Sequence, residues 1–304
     1  MPPRDPVVVQ VGSRQLPVTN LEKVYWPEDG ITKGELIGYY TRIAPVLLPY
    51  LKDRPLVLTR YPEGIHGPWF YTKNAPEGRP GWLRTYTYVH PAAGPTEYLL
   101  ADEPAALTYI ANLGAIEIHP WTGRVQAPER PDFAIVDLDP AEGATWEDTR
   151  EVALLVREVL DAVGIQGFPK WSGATGIHIY CPCTPDHTYR DTAAFCLAIG
   201  RLLARVHPRR VTLERQVRKR TGKVYVDYLQ NRLGQTITAV YGVRPRPGAP
   251  VSVPVTWEEI ARGTVPFVTL RTIWDRLEQV GDLFAPVLQL RQDLRRATRQ
   301  LEGV

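Results

Sequence analysis

The sequence predicts an α+β fold with mixed, largely antiparallel central sheets flanked by helices. Short apolar segments typical of strands recur along the chain, among them residues 133–140 (FAIVDLDP) and 224–229 (VYVDYL). Helical segments with apolar side chains at 3.6-residue spacing are interspersed with them, as in residues 32–51. Strands mixed with helices in this way favour the α+β class.

Length and composition bound the class of protein. With 304 residues the chain is long enough for one large domain or two small ones, and its 44% hydrophobic and 23% charged residues are ordinary for a folded protein. No apolar run approaches the length of about 18–20 residues that a membrane helix needs, and the N-terminus lacks the order of a signal peptide. Three cysteines without an export signal favour a reducing cytoplasm, so we expect a cytoplasmic protein without a membrane partner.

The first 115 residues contain predicted short strands and two helices. Thr32 and Glu35 form a capping box that begins a helix, which we expect to run to about Leu51 with a kink near its end at Pro45 and Pro49. A second helix is predicted from Asp102, as N-cap, to Leu113. The predicted strands cover residues 7–18 (a pair), 55–61 and 68–72.

The middle of the chain is predicted to form most of a sheet. A capping box at Thr145 and Asp148 begins a helix that Gly164 ends, and a second helix is predicted at about 190–206. The Pro-rich residues 243–255 are expected to be extended loop. The predicted strands cover residues 115–119, 132–138, 168–172, 176–181, 211–217, 223–229 and 235–241.

The C-terminal residues are predicted to be helical. Thr256 and Glu259 form another capping box, and amphipathic segments follow at 269–280 and 282–301. No internal repeat is present, and no linker is polar enough to divide the chain. We therefore expect a single domain.

Three aspartates indicate a metal site. Asp137 and Asp139 stand two residues apart on one predicted strand, so their carboxylates point the same way, roughly 6–7 Å apart at the backbone. Asp227, on a second predicted strand, offers a third carboxylate. Hard oxygen ligands suit Mg²⁺ or Mn²⁺, and two such ions commonly serve phosphate chemistry. For the Asp137–Asp139 pair by itself, two solvated acids at a strand end remain the alternative.

Other local patterns contain polar and basic groups. His119 ends a strand in IEIHPW, where a structural histidine is the alternative. The turn in WSGATGIHIY places Ser172 and two glycines before His178, and glycines in such a turn let backbone amides approach a phosphate. Residues 209–223 hold seven basic side chains against one glutamate, although the net charge of the chain is only +3. A solvated hairpin is the alternative for that segment.

In chain order, these patterns are a histidine, DxD, SGxxGxH, a basic loop, a third aspartate and RxR. This order resembles the archaeo-eukaryotic primase-polymerase superfamily, and most closely the polymerase domain of bacterial ligase D, which fills gaps in non-homologous end joining. The resemblance spans nearly the whole chain and is highly specific. The matching segments are VTNLEKVYWPEDGITKGELIGYY (18–40), LKDRPLVLTRYPEGI (51–65), LGAIEIHPW (113–121), FAIVDLDP (133–140), SGATGIHIY (172–180), KVYVDYLQN (223–231) and YGVRPRPGAPV (241–251).

The resemblance implies roles for individual residues. It implies that three catalytic aspartates hold two Mn²⁺ or Mg²⁺ ions: Asp137, Asp139 and Asp227. It implies contacts with the incoming nucleotide (NTP or dNTP) from His119, Ser172, His178, Gln230, Arg244 and Lys52. It implies contacts with DNA, including a 5′-phosphate at Lys23 and Lys33 and a template strand at Phe70, Tyr71, Arg218, Lys219 and Arg220. For the two aromatic residues, a place in the core is the alternative.

The implied function is DNA-dependent nucleotidyl transfer that fills gaps and extends double-strand-break ends, with a preference for ribonucleotides. The implied partners are gapped or broken DNA, a Ku-type end-binding protein and a DNA ligase, which places the protein at the nucleoid. One primase-polymerase domain would have a DNA-end-binding part at about 1–115, a catalytic core at 116–255 and C-terminal helices at 256–304.

The sequence departs from the family pattern at two positions. Thr175 replaces a lysine that many relatives carry in the Ser-Gly turn, and Gln230 stands where some carry arginine. The chain lacks a KxDG ligase motif and a histidine-rich phosphoesterase segment, so it is either a stand-alone polymerase or one domain of a longer protein.

Three other functions are compatible with parts of the pattern. A three-aspartate site also occurs in nucleases and other phosphodiesterases, but these do not need a triphosphate-binding arginine such as Arg244. A non-catalytic nucleic-acid-binding module would not retain three acids that repel phosphate. A primase-like polymerase outside end joining fits the same fold.

Overall fold

The computed structural model describes residues 6–91 and 93–303, which divide into two compact units. The first unit comprises Met1–Gln126, Thr236–Ser252 and Val268–Gln279. The second unit comprises Ala127–Gln235, Val253–Phe267 and Val280–Val304. The single domain expected from the sequence, with its three parts, stays a prediction.

The secondary structure follows an α+β order. Its elements are β1 (Val7–Val11), β2 (Arg14–Val18), β3 (Val24–Trp26), β4 (Ile31–Thr32), α1 (Lys33–Leu51), β5 (Leu56–Arg60), β6 (Phe70–Thr72), β7 (Thr85–His90), β8 (Gly94–Leu99), α2 (Pro104–Asn112), β9 (Ala115–Pro120), β10 (Phe133–Pro140), α3 (Trp146–Ala162), β11 (Phe168–Trp171), β12 (Ile177–Pro182), α4 (Tyr189–Val206), β13 (Val211–Thr212), β14 (Val224–Val226), α5 (Trp257–Arg262), α6 (Ile273–Val280) and α7 (Leu294–Glu302). Short 3₁₀ helices cover Val217–Lys219, Tyr228–Asn231 and Ala285–Leu288.

The first unit is built around strand β5. It pairs antiparallel with β6, β8 and β9, and β7 continues the sheet as the partner of β8. Two small hairpins, β1–β2 and β3–β4, precede β5. Helix α1 buries Leu36, Tyr40, Ile43 and Leu47, which share one face at helical spacing.

The second unit contains a five-stranded sheet in the order β11-β12-β10-β14-β13. Three of its pairings are antiparallel, whereas β13 and β14 run parallel. Helices α3 and α4 both contact β10. The central strand β10 is therefore buried almost throughout, with Phe133 to Leu138 all inside and Asp139 exposed at its end.

The α+β class and most of the predicted elements are confirmed. The capping boxes at Thr32, Thr145 and Thr256 all form, with both reciprocal hydrogen bonds present. Helix α1 continues through Pro45 and Pro49 to Leu51. None of the described helices is long and apolar enough to cross a membrane.

Several predicted boundaries are wrong. Glu103, not Asp102, is the N-cap of α2. The predicted strand 211–217 is reduced to β13, and the strand predicted to Leu229 ends at Val226 because Asp227 caps a 3₁₀ helix. Residues 235–241 form no strand, since Tyr241 has a left-handed backbone (φ 61°) and Gly242 N donates to Ala239 O in a turn. Two hairpins, β3–β4 and β7–β8, were not predicted.

Candidate functional site

The second unit brings the three aspartates together. Strand β10 carries Asp137 and Asp139, and its neighbour β14 leads directly into Asp227. Asp227 N donates to Asp137 O at 2.9 Å, which fixes the two backbones side by side. One side-chain oxygen of each aspartate lies within 4.8 Å of the others. The predicted cluster of three carboxylates therefore exists.

Neighbouring groups orient these carboxylates. Asp227 Oδ1 accepts hydrogen bonds from Leu229 N at 2.9 Å and from the hydroxyl of Tyr225 at 3.2 Å. Burial, followed by the charge of Asp227, raises the pKa of Tyr225 to about 12, so the phenol stays a hydrogen-bond donor. His178, paired in register with Asp137 on β12, places Nε2 at 3.5 Å from Asp137 Oδ1.

The donor set suits a hard divalent cation. Three carboxylates supply only oxygen ligands, which Mg²⁺ and Mn²⁺ prefer. Gly176 lies against the end of β10, beside the acids. A Cβ there would stand 2.6 Å from Leu138 O and 3.5 Å from Asp139 Oδ1. Glycine at position 176 therefore lets its backbone approach that of Leu138 closely. The three aspartates present fit the binding of a divalent metal ion.

The turn from Ser172 to Gly176 lies beside the acids. Ser172 N donates to Gly176 O at 3.0 Å, and Ser172 Oγ accepts from Gly176 N at 3.0 Å and from Ala174 N at 3.2 Å. The buried serine thus organises the turn as well as being a candidate ligand. A cavity of about 310 Å³ adjoins the turn, with Thr175, Trp171 and Phe267 in its wall.

Gln230 and the basic loop occupy the segments around β14. Gln230 Nε2 is buried and has no hydrogen-bond partner among the described residues, so this amide can donate to a ligand or to water. Arg220 packs over the Tyr225 ring at 3.5 Å and donates to Glu214 O and Arg215 O, so it braces the loop. Arg218 and Lys219 are exposed.

In the first unit, His119 and Arg244 both lie beside a buried acid, Glu117, which was not among the predicted site residues. Arg244 Nε lies 2.9 Å from Glu117 Oε1, and His119 Nε2 lies 3.6 Å from Glu117 Oε2. Thr59 Oγ1 is 2.9 Å from His119 Nε2, and Arg244 donates to Thr238 Oγ1 at 2.6 Å. Burial would raise the pKa of Glu117, but its contacts with His119 and Arg244 lower it, so the carboxylate is ionised and orients both residues.

The signal for Glu117 was an acid in the apolar strand IEIH, two residues from His119 and on the same face. Lys52, by contrast, is exposed at the C-terminal end of α1.

The two predicted phosphate-binding lysines lie directly before β3 (Lys23) and at the start of α1 (Lys33). Lys33 N donates to Lys23 O at 2.8 Å. The buried Lys33 Nζ donates to Thr19 O at 2.9 Å, to Thr19 Oγ1 at 3.3 Å and to Asn112 Oδ1 at 2.9 Å. Burial, followed by the charges of Lys23 and Arg60, lowers the pKa of Lys33 to about 8. Lys23 Nζ pairs with Glu63 Oε2 at 2.7 Å.

The predicted base-stacking residues are on the surface. Phe70 is 45% exposed and Tyr71 is 61% exposed, which rules out a place in the core. Trp69, 52% exposed, joins them through an edge contact with Tyr71 and a stacked contact with Tyr61. Arg60 lies over the Phe70 ring at 5.1 Å.

Comparison with known proteins identifies similar sequences and structures. The family model described as "LigD, primase-polymerase domain" matches residues 32–284. The chain is 32% identical to the multifunctional non-homologous end joining protein LigD of Mycolicibacterium smegmatis over 89% of its length, and 34% identical to that of Pseudomonas aeruginosa over 94%. It spans about a third of each of these relatives, 36% and 34% of their lengths.

A solved structure also matches. The polymerase domain of Mycobacterium tuberculosis ligase D in complex with DNA superimposes with a TM-score of 0.85 at 30% sequence identity. The match covers 91% of this chain and 99% of the other.

Proposed function

This chain belongs to the LigD primase-polymerase domain family of nucleotidyltransferases, and we propose that it fills gaps and extends broken ends of DNA during non-homologous end joining. The observation that carries the proposal is the approach of Asp137, Asp139 and Asp227 to within 4.8 Å on adjoining segments of one sheet. A DNA polymerase of this type needs such an acidic cluster to hold divalent ions.

We infer that the three aspartates hold two Mn²⁺ or Mg²⁺ ions, which when bound supply positive charge at the attacking and leaving oxygens of phosphoryl transfer. The carboxylates position these ions, and Tyr225 and Leu229 N hold Asp227 in orientation. His178 stands beside Asp137, where it restricts that carboxylate.

We further propose that His119, Ser172, His178, Gln230, Arg244 and Lys52 bind the triphosphate and sugar of the incoming nucleotide. The buried amide of Gln230 supports this role, because an unpaired buried donor costs free energy unless a ligand or water satisfies it. Arg244 is held by Glu117 and Thr238, so its guanidinium is oriented before any ligand binds. A preference for ribonucleotides is proposed on the family resemblance.

For DNA, we propose that Lys23 and Lys33 bind a 5′-phosphate and that exposed Phe70 and Tyr71 stack on unpaired bases. Arg218, Lys219 and Arg220 would steady the template strand. A structure of the similar M. tuberculosis domain is in complex with DNA, which supports a DNA partner. A Ku-type end-binding protein and a DNA ligase are proposed as further partners, since the full-length relatives are named for end joining.

The proposal is tested by extension of a gapped duplex with a recessed 5′-phosphate, with NTPs or dNTPs and with Mn²⁺ or Mg²⁺. We expect template-dependent addition that requires a divalent ion and is faster with NTPs. Asp137→Ala is the inactive control. Shortening of the primer instead of extension would identify a phosphodiesterase, and a dNTP preference with both metals would refute the sugar assignment alone.

A further inference from the structure

The first unit contains a cluster of three cations, Lys23, Lys33 and Arg60, with one acid among them, Glu63. Lys33 N donates to Lys23 O at 2.8 Å, and the charges of Lys23 and Arg60 both help to lower the pKa of Lys33. Glu63 and Arg60 both affect the pKa of Tyr25 as well, the charge of Glu63 raising it and that of Arg60 lowering it. We call this set the cation cluster.

Most of the positive charge in the cation cluster has no acidic partner among the described residues. Lys33 Nζ donates only to the neutral oxygens of Thr19 and Asn112. Arg60 Nε donates to Leu113 O at 2.8 Å, and the guanidinium faces the Phe70 ring. Lys23 alone is neutralised, by Glu63 Oε2 at 2.7 Å. The site is therefore arranged for an anion, and a single carboxylate of the chain itself occupies part of it.

The backbone around Glu63 is held by hydrogen bonds and packing, whereas its side chain is mostly exposed. Gly64 N donates to Tyr61 O at 3.1 Å, and Ile65 N donates to Tyr25 O at 2.9 Å. Gly64 also packs against the Tyr25 backbone, where a Cβ would come within 2.8 Å of Tyr25 O. The Glu63 side chain is 63% exposed. Rotation of that side chain alone would release Lys23, without movement of the loop.

We propose that Glu63 is a specificity-determining residue that competes with the DNA 5′-phosphate for Lys23, an inference that rests on the proposed role of the cation cluster in end binding. With no phosphate present, the Glu63 carboxylate neutralises Lys23. A terminal phosphate carries nearly two negative charges and several acceptor oxygens, so it displaces the single-charge exposed ion pair. A terminal hydroxyl carries no charge and leaves the pair intact. The competition therefore lowers the affinity for the phosphate end and leaves that for the hydroxyl end unchanged, so Glu63 reduces the preference for a phosphate.

The test measures dissociation constants for a gapped duplex with a 5′-phosphate and for the same duplex with a 5′-hydroxyl. In Glu63→Gln, we expect the ratio that favours phosphate to rise about two- to fivefold, the range of one exposed ion pair. Glu28→Gln is the matched control, because Glu28 is a nearby exposed acid that pairs with His66 at 2.7 Å instead of with a lysine. Its ratio should equal that of the wild type.

A second variant separates competition from simple repulsion. Glu63→Asp keeps the negative charge but withdraws the carboxylate by one methylene from Lys23, so competition predicts a smaller rise and repulsion predicts none. An unchanged or reduced ratio in Glu63→Gln, or a rise there with none in Glu63→Asp, overturns the competition. If the wild type itself does not distinguish the two ends, the proposed end site fails as well. If it does distinguish them and Glu63→Gln matches it, only the role of Glu63 fails.

Discussion

Neutralising one aspartate of the metal cluster should stabilise the metal-free protein while it removes the metal response. We choose Asp227→Asn because Asn retains Oδ1, the atom that accepts the hydrogen bonds from Leu229 N and Tyr225. The substitution therefore preserves the cap of the 3₁₀ helix Tyr228–Asn231 and changes mainly the charge.

The expected magnitude follows from the spacing of the acids. Two unit charges 4.8 Å apart repel by about 0.9 kcal/mol in bulk water and by about 3.5 kcal/mol at an effective dielectric of 20. Asp227 has two such neighbours, so neutralising it relieves about 2 kcal/mol at the lower limit. The substitution also weakens the two charge-assisted hydrogen bonds from Leu229 N and Tyr225, which costs about 1 kcal/mol of that gain. The net gain of about 1 kcal/mol or more should raise Tm by about 2 °C or more for a chain of this size.

Thermal unfolding with EDTA and with Mn²⁺ measures both effects. Wild type should gain stability with Mn²⁺, by about 2.7 kcal/mol at 100 times the dissociation constant, and Asp227→Asn should gain much less. Glu142→Gln, which neutralises an exposed acid outside the cluster, should match wild type in both conditions. The reasoning is refuted if the variant melts no higher than wild type in EDTA and retains the full Mn²⁺ shift.

Three further predictions concern activity and DNA ends. Asp137→Ala should reduce primer extension at least about 100-fold, because several kcal/mol of metal stabilisation are lost, while DNA binding measured by anisotropy stays equal or strengthens. Lys23→Ala/Lys33→Ala should lose a 5′-phosphate preference of about tenfold to a hundredfold, and a double variant that keeps it would place the phosphate elsewhere. The lowered pKa of Lys33, about 8, means that its charge is present at pH 7 and lost as pH rises through 8, so the phosphate preference should fall between pH 7 and 9. Lys33→Met should abolish that pH dependence. The folding stability of the wild type should rise between about pH 8 and 10.5, because in that range only the unfolded chain retains the proton on Lys33.

Local sequence patterns predicted helix starts well, whereas strands depended on distant partners. A capping box involves residues three apart, so Thr32, Thr145 and Thr256 were sufficient evidence. The β7–β8 hairpin was missed because β7 contains no buried residue, so its sequence gives only a weak apolar signal. Residues 235–241 look like a strand, but the left-handed Tyr241 and the turn to Gly242 break it.

The candidate site shows the same division. The DxD spacing on β10 was enough to predict that two carboxylates share a face, and the structure brings the predicted third acid, Asp227, beside them directly after the neighbouring strand β14. Which acid pairs with which basic residue could not be predicted, because pairing depends on the fold. Glu117 and Arg244 are far apart in the sequence, as are Lys23 and Glu63. Residue types therefore indicated chemistry, and only the fold showed which charges are already neutralised.

The metal cluster is negatively charged and the cation cluster is positively charged, and the chain itself neutralises part of the charge only in the cation cluster. In the metal cluster, oxygens of three carboxylates lie within 4.8 Å of one another, and the binding of a cation relieves their repulsion. The cation cluster instead holds Glu63 against Lys23, so part of its repulsion is already relieved by the chain itself. Cation binding at the metal cluster relieves all of the repulsion there, whereas phosphate binding at the cation cluster must first break the Lys23–Glu63 ion pair. Increasing salt should therefore stabilise the metal-free acidic cluster by screening, and should weaken the Lys23–Glu63 pair and the DNA phosphate contact together.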